Sequence, residues 1–123
     1  MVKFISCALY LVTLCIPSLS LAAGLPERHY QTAWCADHHG QAEVRLPDGT
    51  RADCITATHA IEFDFGHKWA EAIGQALYYG LQTGKAPGVV LILHGEKDYR
   101  YWLRLNSTIQ HYKLPIETWK MEQ

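Results

Sequence analysis

The run 89-VVLIL-93 limits what this chain can fold into more than any other stretch. Five apolar residues without a polar interruption suit a strand buried on both faces, and such a strand needs covering elements on each side. The neighbouring segments can supply them. From His67 to Leu81, Trp69, Ile73, Ala76, Leu77 and Gly80 recur on one side of a helix at about 100° per residue. A helix of that length is a natural crossover into a parallel strand. Asp98 to Tyr112 reads as another helix, and 116-IETW-119 as a short closing strand.

Upstream, 60-AIEFDF-65 alternates, with Ile61, Phe63 and Phe65 on one face and Glu62 and Asp64 on the other. The segment 41-QAEVRL-46 alternates too, with Ala42, Val44 and Leu46 on one side. Pro47-Asp48-Gly49 has the composition of a hairpin turn, so Arg51 to Thr56 should return as a second strand. Pro26 suits the first turn of a helix running to about residue 37, with Tyr30, Ala33, Trp34 and Ala36 as its apolar stripe. Lys85-Ala86-Pro87-Gly88 reads as a loop. The expected fold is α/β, in the order helix-strand-strand-strand-helix-strand-helix-strand: an antiparallel meander followed by parallel strands in one mixed sheet.

Met1-Val2-Lys3, the uncharged run 4–23 and the small residues Ser20 and Ala22 read as a secretory signal peptide cut after Ala22. Secretion or export to a periplasm follows, with no stable membrane association after cleavage. The alternative is a membrane anchor at 4–23, since about 20 apolar residues can span a bilayer; Pro17 and Ser18 interrupt that run. No small residues precede Cys15, so a lipid-modified cysteine is not expected. Residues 23–123 then form a single domain. Loss of Lys3 leaves ten of the 11 basic residues against 12 acidic ones, a net charge of −2. Such a balance offers no broad electrostatic footprint for nucleic acid, so binding of that kind has to be local or metal-assisted. Cys35 and Cys54 remain after cleavage and most simply form a disulfide, closing a loop of roughly 20 residues. The histidines lack the spacings of a zinc site.

Asp53 and Glu62 fall on consecutive strands, where a hairpin would set them side by side. Carboxylates converging in this way, with water, are what a hard divalent cation such as Mg²⁺ needs. Acids alternating along a strand also simply face solvent, and both readings stand on the sequence alone. The next helix adds Lys68, Ala72, Gln75 and Tyr79 at spacings of 4, 3 and 4, within an arc of about 60° away from the apolar stripe. His59 is a candidate general base or a surface residue. Lys97, Arg100 and Arg104 are spaced to touch phosphates, although Asp98 among them favours a solvated face.

An acid on one strand, an acid on the next and a following helix with Gln-x-x-x-Tyr resemble the PD-(D/E)XK nuclease superfamily, in particular its RecB-like branch. The likeness runs from Glu27 to Trp119 and implies a restriction-endonuclease-like core. It also implies Asp53 and Glu62 as metal ligands, Gln75 and Tyr79 as the helix motif lining the site, and Glu27 as an added acid from the first helix. The position two after Glu62 is Asp64, where the pattern has lysine; Lys68 then becomes the substitute cation and Asp64 a third ligand, or the site is inactive. Ala52 replaces the proline that would precede Asp53. A disulfide at Cys35 would tend to hold Glu27 away from Asp53 unless the first helix crosses the site obliquely.

The resemblance implies a nuclease that hydrolyses phosphodiester bonds with Mg²⁺ or Mn²⁺, acting on nucleic acid, DNA in the first instance; the leader makes it an exported one, and its small size suits a homodimer or a larger partner that enlarges its surface. The rivals are a catalytically inactive binding domain on the same scaffold and a non-hydrolytic metal-binding protein.

Overall fold

In the computed structural model, which describes residues 24–123, the VVLIL run is fully enclosed: every residue from Val89 to Leu93 has 0% of its surface exposed. The leader expected at 1–22 lies outside the described residues. Helix α1 (Glu27–Asp37) precedes strands β1 (Gln41–Arg45), β2 (Arg51–Ile55) and β3 (His59–Phe65). Helix α2 (Trp69–Thr83) leads to β4 (Ala86–Leu93), and α3 (Tyr99–Tyr112) to β5 (Glu117–Glu122). Short 3₁₀ turns at Gly66–Lys68 and Glu96–Asp98 start the approach to α2 and α3.

The strands lie side by side in chain order as one mixed α/β sheet. β1, β2 and β3 are antiparallel, and β3, β4 and β5 are parallel. Parallel neighbours need long connections, which α2 and α3 provide. Alternate β4 residues point to opposite faces. Val89, Leu91 and Leu93 pack with Ala72 and Ala76 of α2 and Leu105 of α3. Val90 packs on the other face with Phe63, Ile61 and the Cys35–Cys54 pair under α1.

Three expectations are corrected. The segment 86–88 is part of β4, not a loop: Ala60 and Ile61 pair with Pro87 and Gly88. Proline is tolerated there because β5 joins only from Gly88 onward, leaving Pro87 where one side of β4 has no neighbour. The helix read from His67 begins at Trp69, after the 3₁₀ turn, and runs to Thr83, where Gly84 closes it in the left-handed conformation at φ 67°. The inner face of α1 is not the apolar stripe: Gln31 and Cys35 are its buried residues, Tyr30 and Trp34 are half-buried, and Ala33 and Ala36 are exposed.

The Cys35–Cys54 disulfide is present, with Cα atoms 5.8 Å apart, and ties the C-terminal end of α1 to β2. Gly40 makes room for it. A Cβ at that position would lie 2.6 Å from one sulfur and 2.7 Å from the other.

Candidate functional site

Glu62 and Asp64 do not face solvent. Their residues are 4% and 3% exposed, as enclosed as the apolar side chains between and beside them. Both faces of the sheet are covered, so the polar face of β3 is roofed by α2 and its alternation marks a buried polar patch. Burying an ionised carboxylate is costly unless it is paired, and such groups hold their protons instead.

The protonation pattern follows. Burial, then the charges of Asp53, Asp64 and Glu27, push the Glu62 carboxyl up to about 10, so it is protonated at neutral pH. A hydrogen bond between Glu62 and Asp53 places that proton between the two side chains, as expected when two carboxyls share one site. Burial also raises Asp53, against the opposing pull of the Phe63 N–H, which donates to Asp53 Oδ2 at 2.8 Å. Asp64 rises to about 6 through burial, held back by Lys68, whose Nζ is 3.8 Å from Oδ1. Glu27 rises to about 7 through burial and the charges of Asp64 and Asp53, with Lys68 again opposing.

From α2, Tyr79 is 6% exposed and its hydroxyl donates to Gln75 Oε1 at 3.3 Å. Burial and the neighbouring Glu62 and Asp53 raise the Tyr79 phenol. Of the stripe Ala72, Gln75 and Tyr79, Ala72 is buried in the apolar core, Gln75 is half-buried, and Tyr79 is the residue turned onto the acids. Lys68, at its outer end, stays about half exposed.

Asp53, Glu62, Asp64, Lys68, Gln75, Tyr79 and Glu27 are thus drawn into one neighbourhood. α1 also satisfies the disulfide and the acids at once: Cys35 sits on Cys54, Gln31 reaches the main chain of Asp53, and Glu27 lies in the field of Asp53 and Asp64. Eight residues of helix separate Glu27 from Cys35, about 12 Å, and α1 contacts β1, β2 and β3 instead of lying along one of them.

The expected four-carboxylate metal shell is not ready-made. Among the described residues no three His, Cys, Asp or Glu side chains are grouped so as to hold a metal ion. The Phe63 N–H holds Asp53, and a proton links Asp53 to Glu62. Two oxygens in the cluster nevertheless stand out: Glu62 Oε2 and Asp64 Oδ1 are buried without a hydrogen-bond partner. His59 lies on the Ile61 side of β3, away from the acids, where its Nε2 is 2.7 Å from Glu117 Oε2 and its ring meets Trp119 edge-on. Arg100 and Arg104 lie over the Tyr101 ring, as a packed helix surface would have them.

Two residues at the site were not singled out from the sequence. Gln31, 2% exposed, donates through Nε2 to Asp53 O at 2.8 Å and to Glu43 Oε1 at 3.0 Å. Glu43, in mid-strand, has φ 56° and is also within 3.7 Å of Arg28 and 3.8 Å of Arg51. A left-handed non-glycine residue costs on the order of 1–3 kcal/mol. Glu27, Gln31 and Cys35 share a four-residue spacing that was available in the sequence, but a search for apolar stripes passes over it.

No known protein-family profile, no curated protein and no solved structure matches this chain.

Proposed function

We propose that the chain is a small metal-dependent nuclease of PD-(D/E)XK type, with a restriction-endonuclease-like core, cleaving phosphodiester bonds in nucleic acid with Mg²⁺ or Mn²⁺. The observation that carries the reading is the half-buried Asp53 beside the buried Glu62 and Asp64, with Glu62 Oε2 and Asp64 Oδ1 both enclosed and without a hydrogen-bond partner. Carboxylate oxygens are the donors a hard divalent cation prefers, and a cation would satisfy Glu62 Oε2 and supplement the Lys68 ammonium, 3.8 Å away, at Asp64 Oδ1. The donor set therefore fits, once the proton joining Asp53 and Glu62 is given up.

Asp53, Glu62 and Asp64 would hold the ion, with Glu27 completing the acidic wall. When bound, such an ion polarises a phosphodiester and lowers the pKa of water. Among the described residues Lys68 is the only cation the site directs at Asp64 and its ammonium is half-exposed, so it can meet a phosphate oxygen while steadying the acid behind it. Tyr79 and Gln75 support Glu62 from behind and keep water off its inner side. Export by the N-terminal segment, DNA as the first substrate to test and a homodimer that widens the binding surface belong to the same proposal.

A second reading, a catalytically silent binding domain, is favoured by two features: among the described residues the acids do not converge into a ready-made metal group, and Asp64 stands where the resemblance has lysine. Mature protein incubated with single- and double-stranded DNA and with RNA, in Mg²⁺ or Mn²⁺ and then with chelator, separates the two. The nuclease reading expects chelator-sensitive cleavage that Glu62→Ala abolishes. No chelator-sensitive cleavage of any substrate, or equal cleavage by the variant, would end the nuclease reading; absence of both cleavage and ion binding would leave the silent domain, and ion binding without cleavage would point to a plain metal-binding protein.

A further inference from the structure

β2 loosens from both of its neighbours at Asp53. Its pairing with β1 runs through Gln41↔Ile55, Ala42↔Cys54, Val44↔Ala52 and Arg45↔Arg51, and skips only Glu43 opposite Asp53. Its pairing with β3 covers Cys54↔Ile61 and Ile55↔Ala60 and goes no further. Side chains take over where the ladders stop: Asp53 Oδ2 accepts the Phe63 N–H, and Asp53 O accepts the Gln31 amide.

Glu43 is the residue that opens the first ladder. Three non-glycine residues among those described have positive φ. His39 and Lys113 lie just past the ends of α1 and α3, where the left-handed conformation is routine. Glu43 lies in the middle of a strand and has no such excuse. Its carboxylate can only accept, and it takes one Gln31 N–H while Arg28 and Arg51 flank it. That acceptor fixes which way the Gln31 amide points. With NH₂ towards Glu43, the same nitrogen donates to Asp53 O, and the Gln31 carbonyl cannot flip into its place.

We propose that Glu43 and Gln31 are positioning residues for the Asp53 carboxylate, a relay in which a strained acid on β1 orients a buried amide on α1 and the amide sets the main chain of Asp53. The proposal rests on the metal-dependent reading of the site and names the part of it that prepares Asp53 to bind the ion. Groups that orient a metal ligand from behind typically control metal affinity 10–100-fold.

The test is calorimetric titration of Mn²⁺ into the mature, disulfide-bonded chain and its Glu43→Gly and Gln31→Leu variants, below their unfolding midpoints. Glu43→Gly removes the carboxylate but suits the φ of 56°, so its fold is expected to survive or gain in stability. Gln31→Leu removes no charge, so a weaker ion there is not a loss of general electrostatic attraction. Both variants are expected to bind Mn²⁺ at least tenfold more weakly than wild type while keeping native circular dichroism. Wild-type affinity in folded Glu43→Gly would overturn the relay and leave the nuclease reading standing. Wild-type protein that takes up no Mn²⁺ would overturn the metal reading and the relay with it. If Gln31→Leu does not fold, Glu43→Gly alone decides.

Discussion

Glu62 shows how one carboxyl can be conspicuous in a sequence and still be misjudged in character. Its place on an alternating strand was readable, and so was its partnership with Asp53 across a hairpin. Its burial was not, because the period of two says which residues share a face and says nothing about what covers that face. The cover comes from Ala72 and Tyr79 of α2, whose small and aromatic side chains look unlike a polar site. Glu62→Gln keeps the size of the side chain and removes its ionisation. Unfolding of the metal-free variant at pH 8 should therefore need about 1 kcal/mol more than wild type, roughly 4–8 °C in Tm for a domain of this size. At pH 5 the difference should shrink, since Glu62 is then protonated in nearly all folded molecules and the unfolded chain gains less by ionising. On the proposed nuclease reading, Mg²⁺-dependent cleavage should be lost in the same variant. Gln31 and Glu43 stayed hidden for a different reason: a left-handed residue in mid-strand and an amide holding a main-chain carbonyl leave no periodic trace.

At the scale of elements, α1 is the part that separates a legible fold from a legible site. The strands and the two crossover helices announce themselves through periods of two and 3.6, and β4 does so by its unbroken apolar run. α1 instead buries Gln31 and Cys35 and half-buries Glu27, an amide, half of a disulfide and a carboxyl, so its inner face cannot be recognised by hydrophobicity. Its attachment depends on the Cys35–Cys54 bond. Replacing both cysteines by serine should cost about 3 kcal/mol in the chain-entropy account of a loop of this length. Gly40→Ala tests the same junction without breaking the bond. The added methyl would meet both sulfurs, so a loss of about 1–3 kcal/mol is expected by chemical denaturation, as for other overpacked sites. The loop expected at 86–88 failed for a local reason: proline and glycine read as breakers, yet both are admitted at the start of a strand whose second neighbour arrives late.

Across the whole molecule, the acids set a pH dependence opposite to that of a protein stabilised by ion pairs. Glu27, Glu62, Asp64 and Asp53 all hold protons more tightly folded than unfolded. Their contribution is complete below the unfolded values near 4, and it is lost as pH rises through the folded values, about 6 for Asp64 and about 7 for Glu27. Glu62 keeps its proton until about 10. The metal-free mature chain should therefore unfold at a higher temperature at pH 5 than at pH 8, with the steepest fall between. On the proposed metal-dependent reading, saturating Mn²⁺ should flatten that slope, because an ion would stabilise the ionised acids that protons otherwise neutralise. A midpoint that climbs steadily from pH 5 to pH 8 without metal would show that these carboxyls are not taken up by the fold in the way described.

β1 and β5 are the two open borders of the sheet, and β1 carries the left-handed Glu43 at its middle. A regular border strand is a template on which another chain can dock, and proteins blunt such borders with kinks and charges. Glu43 supplies both, flanked by Arg28 and Arg51. The backbone distortion that frees Asp53 on the inner side thus denies a newcomer continuous hydrogen bonding on the outer side of β1, leaving β5 as the regular border.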